Sequence, residues 1–194
     1  RSAIIISAGF REIGEEGKRL EQEIADISKR FNMPVLGPNC LGLINTDAKS
    51  SLNASFSRTT PCPGNIALIS QSGALCTAIL DYANGEKIGF SKFLSMGNKV
   101  DITELDLLRY LKDDPASEVI LMYLEDLVDG RAFIELAREI TGHPTHPKPI
   151  IAIKSGRTVQ GAKAASSHTG SLMGSDEIYD AIFSQSGVVR VNSF

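Results

Sequence analysis

The chain has 194 residues, 42% hydrophobic and 22% charged, with a formal net charge of −3. This is the profile of an ordinary soluble globular protein, with room for one large domain or one domain and part of another. The near-neutral charge and the lack of a dense Lys/Arg run exclude a nucleic-acid footprint, and no apolar run approaches the ~20 residues that span a bilayer.

The N-terminal residues are strand-like over Ala3–Ser7, with no signal-peptide pattern. Such a start reads as the middle of an α/β domain, so the chain is expected to be a piece of a longer polypeptide. Leu20, Ile24 and Ile27 recur at 3–4 spacing and predict a helix over Glu15–Phe31, followed by a strand at Pro34–Leu36. Next come Gly37-Pro38-Asn39-Cys40-Leu41-Gly42 and a stretch dominated by Ser, Thr, Pro and Asn over Ala48–Gly64, which predicts a linker. Strands are then predicted at Asn65–Ser70, Phe90–Ser95, Val119–Tyr123 and Pro149–Ile153, with a last apolar pair at Val188-Val189. Helices are predicted at Gly73–Asn84, Ile102–Lys112, Arg131–Ile140 and Ser175–Ser186. Near-continuous apolar strands alternating with helices predict a doubly wound, flavodoxin-like parallel sheet covered on both faces.

Cys40, Cys62 and Cys76 are odd in number and lack CxxC pairs or His partners at metal-ligand spacing. They predict reduced thiols in a cytoplasmic protein, with neither disulfide nor metal site.

In an open parallel sheet the ligand lies beyond the carboxyl ends of the strands, so the chemistry is sought in those loops. Ser70-Gln71-Ser72-Gly73 follows a buried strand and opens a helix, where free N–H groups and the helix dipole attract phosphate. Ser72 as a plain N-cap would explain the same residues. A nucleophile elbow is excluded because Ser70 and Ala74 stand where glycines are needed. In Ser95-Met96-Gly97-Asn98-Lys99-Val100-Asp101, Lys99 is able to face an anion, although a plain loop with Asp101 capping the next helix is the simpler reading. Tyr123-Leu124-Glu125-Asp126 ends a strand in carboxylates, and Glu125 would gain a role if it met a histidine. Lys154, Arg157 and Lys163 form a basic loop that fails the P-loop pattern, with a solvated loop as the alternative. His168 follows in Ser167-His168-Thr169-Gly170, just before a further predicted helix start, where an imidazole can be presented to a phosphate-bearing partner; a solvated loop histidine is the simpler reading of the residue alone. His143 and His146 lie in a Gly/Pro-rich turn and are read as surface residues.

Taken in order, Gly37-Pro38-Asn39-Cys40, Ile69-Ser70-Gln71-Ser72-Gly73, Met96-Gly97-Asn98-Lys99, Tyr123-Leu124-Glu125, Gly130-Arg131 and Ser167-His168-Thr169-Gly170 resemble the NDP-forming acyl-CoA synthetases over essentially the whole chain. That family is typified by ADP-forming acetyl-CoA synthetase and is related more distantly to the α subunit of succinyl-CoA synthetase. The SHTG motif, in place of GHAG, favours the acetyl-type branch. The resemblance implies that residues 1–45 are the C-terminal part of a CoA-binding Rossmann-like domain, 46–63 a linker and 64–194 a succinyl-CoA-ligase-like flavodoxin-fold domain. It implies the reaction acyl-CoA + ADP + phosphate ⇌ acid + CoA + ATP, through acyl phosphate and a phosphohistidine. By the same resemblance His168 is the phosphorylated nucleophile and Glu125 its partner. Ser70, Gln71, Ser72, Gly73, Thr169 and Gly170 hold phosphate, and Asn39 and Cys40 lie near CoA. CoA, ADP/ATP and Mg²⁺ are expected in the full-length enzyme, with none firmly bound by this piece. An ATP-grasp domain or β subunit and a homo- or hetero-oligomer are the implied partners. The alternative is an acyl-CoA-sensing regulatory domain of a protein acetyltransferase fusion.

Overall fold

The computed structural model describes residues 1–156 and 176–192. Five consecutive parallel strands make up most of a seven-stranded sheet: β5 (Pro63–Ser70), β6 (Phe90–Ser95), β7 (Val119–Leu124), β8 (Ile150–Lys154) and β9 (Val189–Arg190). Their spatial order is β6-β5-β7-β8-β9, the flavodoxin order in which chain direction across the sheet reverses beside the first strand. Four helices make the crossovers: α2 (Gly73–Glu86), α3 (Glu104–Asp113), α4 (Gly130–Thr141) and α5 (Asp176–Ser186).

The period-2 alternation of each strand divides the core. Ala67 and Ile69 of β5 face α3, α4 and α5, packing with Leu108, Phe133 and Phe183. Leu68 faces the other way, with Cys76 and Leu80 of α2 and with Phe90 and Phe93. Along β7, Ile120, Met122 and Leu124 are buried while Val119, Leu121 and Tyr123 are only half-buried. Leu121 still packs against the cluster that α2 joins, so among the described residues helices lie on both faces of the sheet, as expected, with the α2 face of this strand the more exposed.

Two strands lie in stretches read from sequence as loop and linker. β3 (Gly42–Asn45) pairs antiparallel with β6, and β4 (Leu52–Ser55) pairs antiparallel with β3, extending the sheet at its β6 edge. Polar side chains hid β4 because it is an edge strand whose residues are exposed or half-buried.

The N-terminal unit consists of β1 (Ala3–Ile4), a 3-10 turn at Arg11–Ile13, α1 (Glu15–Phe31) and β2 (Val35–Leu36), with β1 and β2 parallel. The face that α1 buries is Gly17, Glu21 and Ser28, and not the Leu20-Ile24-Ile27 stripe; Ile27 is 49% exposed. Gly17 is required there, since a Cβ would lie 1.6 Å from the Phe10 carbonyl oxygen. Among the described residues no helix is long and apolar enough to cross a membrane.

Candidate functional site

Because β5 is the strand at which the winding reverses, the crevice between the carboxyl ends of β5 and β7 is where this architecture opens a site. There the Gln71 amide N–H donates to the Tyr123 carbonyl at 3.1 Å, continuing the β5–β7 pairing one step past the strands. The chain then turns into α2. Ser72 caps that helix, its Oγ accepting from the Leu75 N–H at 3.3 Å. The Ser70 hydroxyl accepts from the Ser72 N–H at 3.1 Å and is fully buried. Gly73 leaves the mouth of the helix open: a Cβ there would meet only the Leu41 nitrogen, at 3.7 Å. The amide N–H groups of the first turn of a helix have no intrahelical acceptor, and the dipole adds to their attraction for an anion.

Facing this helix start is the turn after β7. Gln71 Oε1 accepts from the backbone N–H groups of Glu125, at 2.6 Å, and Asp126, at 3.1 Å, while its Nε2 donates to Asp126 Oδ1 at 2.8 Å. Lys99 closes the arrangement from the β6 loop. Its ammonium lies 2.5 Å from Asp126 Oδ1 and 2.9 Å from Glu104 Oε2, and both it and Glu104 are buried. Lys99 thus faces two carboxylates of the protein itself.

The third wall comes from the N-terminal unit. A small cavity is lined by Arg11 and Asn39 on that side and by Gln71, Gly97, Asn98, Glu125 and Asp126 on the sheet side. The Asn98 amide ties the two together, accepting from Asn39 Nδ2 at 3.3 Å and donating to Glu12 Oε2 at 3.0 Å and Glu21 Oε2 at 3.3 Å. Burial would raise the Glu12 carboxyl, but bonds from Asn98 and from the Gly9 and Phe10 N–H groups outweigh it and hold the group at about 2. Gly97 sits at φ +58 with the Pro38 and Asn39 carbonyls against it; a Cβ would approach Pro38 O to 2.2 Å.

The predicted residues Ser70, Gln71, Ser72, Gly73, Asn39 and Glu125 therefore meet at one end of the sheet. Cys40 does not join them. It is buried, its thiol donating weakly to the Ile5 carbonyl at 3.4 Å, and burial pushes its pKa up, which suits a packing role better than a reactive one. His168, Thr169 and Gly170, with Arg157 and Lys163, lie outside the described residues. Lys154 is not a solvated member of a basic loop: it is buried at the end of β8 with its ammonium 4.4 Å from the Tyr179 ring centroid. Burial lowers its pKa to about 8 against the opposing pull of Asp176, Asp126 and Glu125. Asp101 is not a helix cap. Its Oδ2 accepts from Ser28 Oγ and from the Val35 N–H, both at 2.8 Å, and α3 is capped instead by Thr103.

Sequence reasoning did not single out Arg11, Glu12, Glu21 or Asp126 as site residues. Only Asp126 carried a local signal, as the second carboxylate at a strand end; the others reach the cavity through the docking of α1. Among the described residues no group of three or more His, Cys, Asp or Glu side chains is placed to hold a metal ion.

Residues 63–194 match the model of the succinyl-CoA ligase like flavodoxin domain. The chain belongs to this family. Over its whole length it is 51% identical to the 4-hydroxybutyrate–CoA ligase [ADP-forming] of Nitrosopumilus maritimus, of which it spans 27%. Over 96% of its length it is 52% identical to the α subunit of acetate–CoA ligase [ADP-forming] I of Pyrococcus furiosus, of which it spans 39%. The dinucleotide forming acetyl-coenzyme A synthetase 1 of Ca. Korarchaeum cryptofilum, solved in complex with phosphate and ADP, superposes with a TM-score of 0.91 at 42% identity, covering 99% of this chain and 40% of that one. The chain therefore spans about a quarter to two fifths of these relatives.

Proposed function

We propose that this succinyl-CoA ligase like domain, with the N-terminal unit docked on it, is the phosphoryl-handling part of an ADP-forming acyl-CoA synthetase. The observation that carries the reading is that the whole chain, and not a motif within it, aligns at 51% identity with an ADP-forming CoA ligase. The convergence of Glu125 and the α2 N-terminus at the switch point supports it. Residues 1–45 are read as the end of a CoA-binding Rossmann-like domain and 64–194 as the ligase domain. Residues 46–63 join the two, and β3, at the end of the first stretch, and β4, within the joining one, pair into the sheet of the ligase domain.

In this reading inorganic phosphate sits at the start of α2, against the Ser72 and Gly73 backbone. Phosphate oxygen attacks the thioester carbonyl, the C–S bond breaks and CoA leaves as thiolate, giving acyl phosphate. His168 Nε2 then attacks phosphorus, and the carboxylate departs with the electron pair of the broken P–O bond. The phosphoryl group finally passes from His168 to ADP. Glu125, accepting from the Nδ1–H of that histidine, fixes its tautomer and stabilises the cationic ring. Asn39 lies on the CoA side of the same cavity. CoA and nucleotide are substrates of the complete enzyme, with nucleotide handled by an ATP-grasp domain or β subunit in a cytoplasmic oligomer. Mg²⁺ would accompany the nucleotide, and the described residues offer no cluster to hold it. An acyl-CoA-sensing role is not favoured, because the relatives matched over the full chain are ligases.

The test is to incubate the complete synthetase with γ-labelled ATP and Mg²⁺. An acid-labile, base-stable label on the protein is expected, absent in His168→Ala and reduced in Glu125→Gln. Label that persists in His168→Ala sinks the proposal.

A further inference from the structure

We propose that Gln71 is a positioning residue for Glu125 and not a phosphate ligand, an inference that rests on Glu125 being the partner of the phosphorylated histidine. The Gln71 side chain is largely buried and holds the β7 turn by three bonds. Its Oε1 accepts two successive backbone N–H groups, those of Glu125 and Asp126, and its Nε2 donates to Asp126 Oδ1. Both lone pairs of the amide oxygen and one of its two N–H hydrogens are thus engaged within the protein. The backbone N–H of the same residue bonds Tyr123 O, so Gln71 grips the turn from both ends.

The turn is also anchored from behind. Lys99 bonds the Asp126 carbonyl at 3.2 Å as well as its carboxylate, and Glu104 Oε1 accepts from the Val128 N–H at 2.7 Å. Gln71 is the front clasp, and it stands one residue before the cap of α2. The Gln71 side chain is therefore the direct side-chain link between the α2 start and the Glu125 backbone.

The residue type follows from the partners. Leu at this position would leave two turn N–H groups without an acceptor. Asn is one methylene shorter and falls short of both. Glu keeps the acceptors but sets a negative charge against Asp126. A shift of the turn moves Glu125 relative to the histidine it serves, and a misplacement of about 1 Å costs up to about 100-fold in rate.

The experiment uses the complete synthetase and three single variants, Gln71→Leu, Gln71→Glu and Glu125→Gln, with the double variant Gln71→Leu/Glu125→Gln. Circular dichroism reports the folded fraction, to which rates are normalised. Gln71→Leu is expected to lower kcat and the rate of histidine labelling by about 10- to 100-fold, with KM for inorganic phosphate changed by less than about twofold. Gln71→Glu, which keeps both acceptor bonds, is expected to lose less, and it preserves the comparison if Gln71→Leu folds poorly. In the Glu125→Gln background the Gln71 change should cost no more than about twofold further, because the two act as a unit. A rise in phosphate KM that accounts for the loss, or losses that multiply in the double variant, overturns the positioning role. Wild-type enzyme labelled at a residue other than His168 instead defeats the underlying reading, so the two failures are distinguishable.

Discussion

Two lysines at the carboxyl edge of the sheet, Lys99 and Lys154, show why a cation near a candidate anion site needs its partners named. Lys99 is neutralised by Glu104 and Asp126 and serves the turn that carries Glu125. Lys154 lies buried against Tyr179, and burial holds its pKa at about 8, below the usual 10.5. Since the unfolded chain keeps that proton up to higher pH, the folded form binds fewer protons between about 8 and 10.5. Stability from this group therefore rises with pH through that window, and the cost of the buried charge is present in full below it. In Lys154→Met the cost is absent at every pH. Urea denaturation is expected to show wild type gaining on the variant by roughly 1–2 kcal/mol between pH 7 and pH 10, once partial solvent screening is allowed for. A difference that stays constant over that range would show that Lys154 is not desolvated. The motif itself was legible in the chain, since Ser70-Gln71-Ser72-Gly73 and Glu125 were both picked out as strand-end residues. What Gln71 does with its amide was not legible, because its partners lie 54 and 55 positions away.

At the scale of elements, local signals and tertiary context can be separated. The central strands and their helices were readable because each carries its own periodicity and each helix its own start. The start of α3 is a case where the neighbouring residue misled. Asp101 is the acidic residue that a cap reading selects, yet Thr103 closes a capping box with Asp106, whose Oδ2 takes both the Thr103 N–H, at 3.0 Å, and its hydroxyl, at 2.8 Å. Thr103→Ala is expected to destabilise the fold by about 1 kcal/mol in chemical denaturation. An unchanged midpoint would show that the Thr103 side chain does not stabilise the start of α3. The faces of α1 and the strand β4 were not legible for related reasons. The helix buries small and polar residues because other polar groups wait for them, and an edge strand has no apolar alternation to display.

Across the whole molecule, the carboxyl end of the sheet is completed by a unit that belongs to a different two-stranded sheet. Asp101 is the pin that docks it, joining the loop after β6 to Ser28 of α1 and to the start of β2. The backbone adds Asn98 N to Pro38 O at 2.8 Å, Val100 N to Gly37 O at 3.0 Å and Ile102 N to Val35 O at 3.1 Å. Asp101→Ala is expected to speed hydrogen exchange at the Val35 amide by about tenfold or more, since that N–H loses its acceptor, while amides of β5 exchange as before. Equal acceleration in both places would mean that the two units unfold together and Asp101 does not set their docking. The sequence by itself determined the crossover pattern, the central strands and the approximate positions of their helices, because these follow from periodicity and capping within a few residues. It also identified the family, through short motifs kept in order. The tertiary structure alone decided that the winding brings Gln71 beside Glu125, that Lys99 is neutralised inside the protein, and that Arg11, Glu12 and Asn39 close the cavity. Those facts depend on hydrogen bonds and ion pairs between residues tens of positions apart, and no local pattern encodes which partner a polar side chain will find.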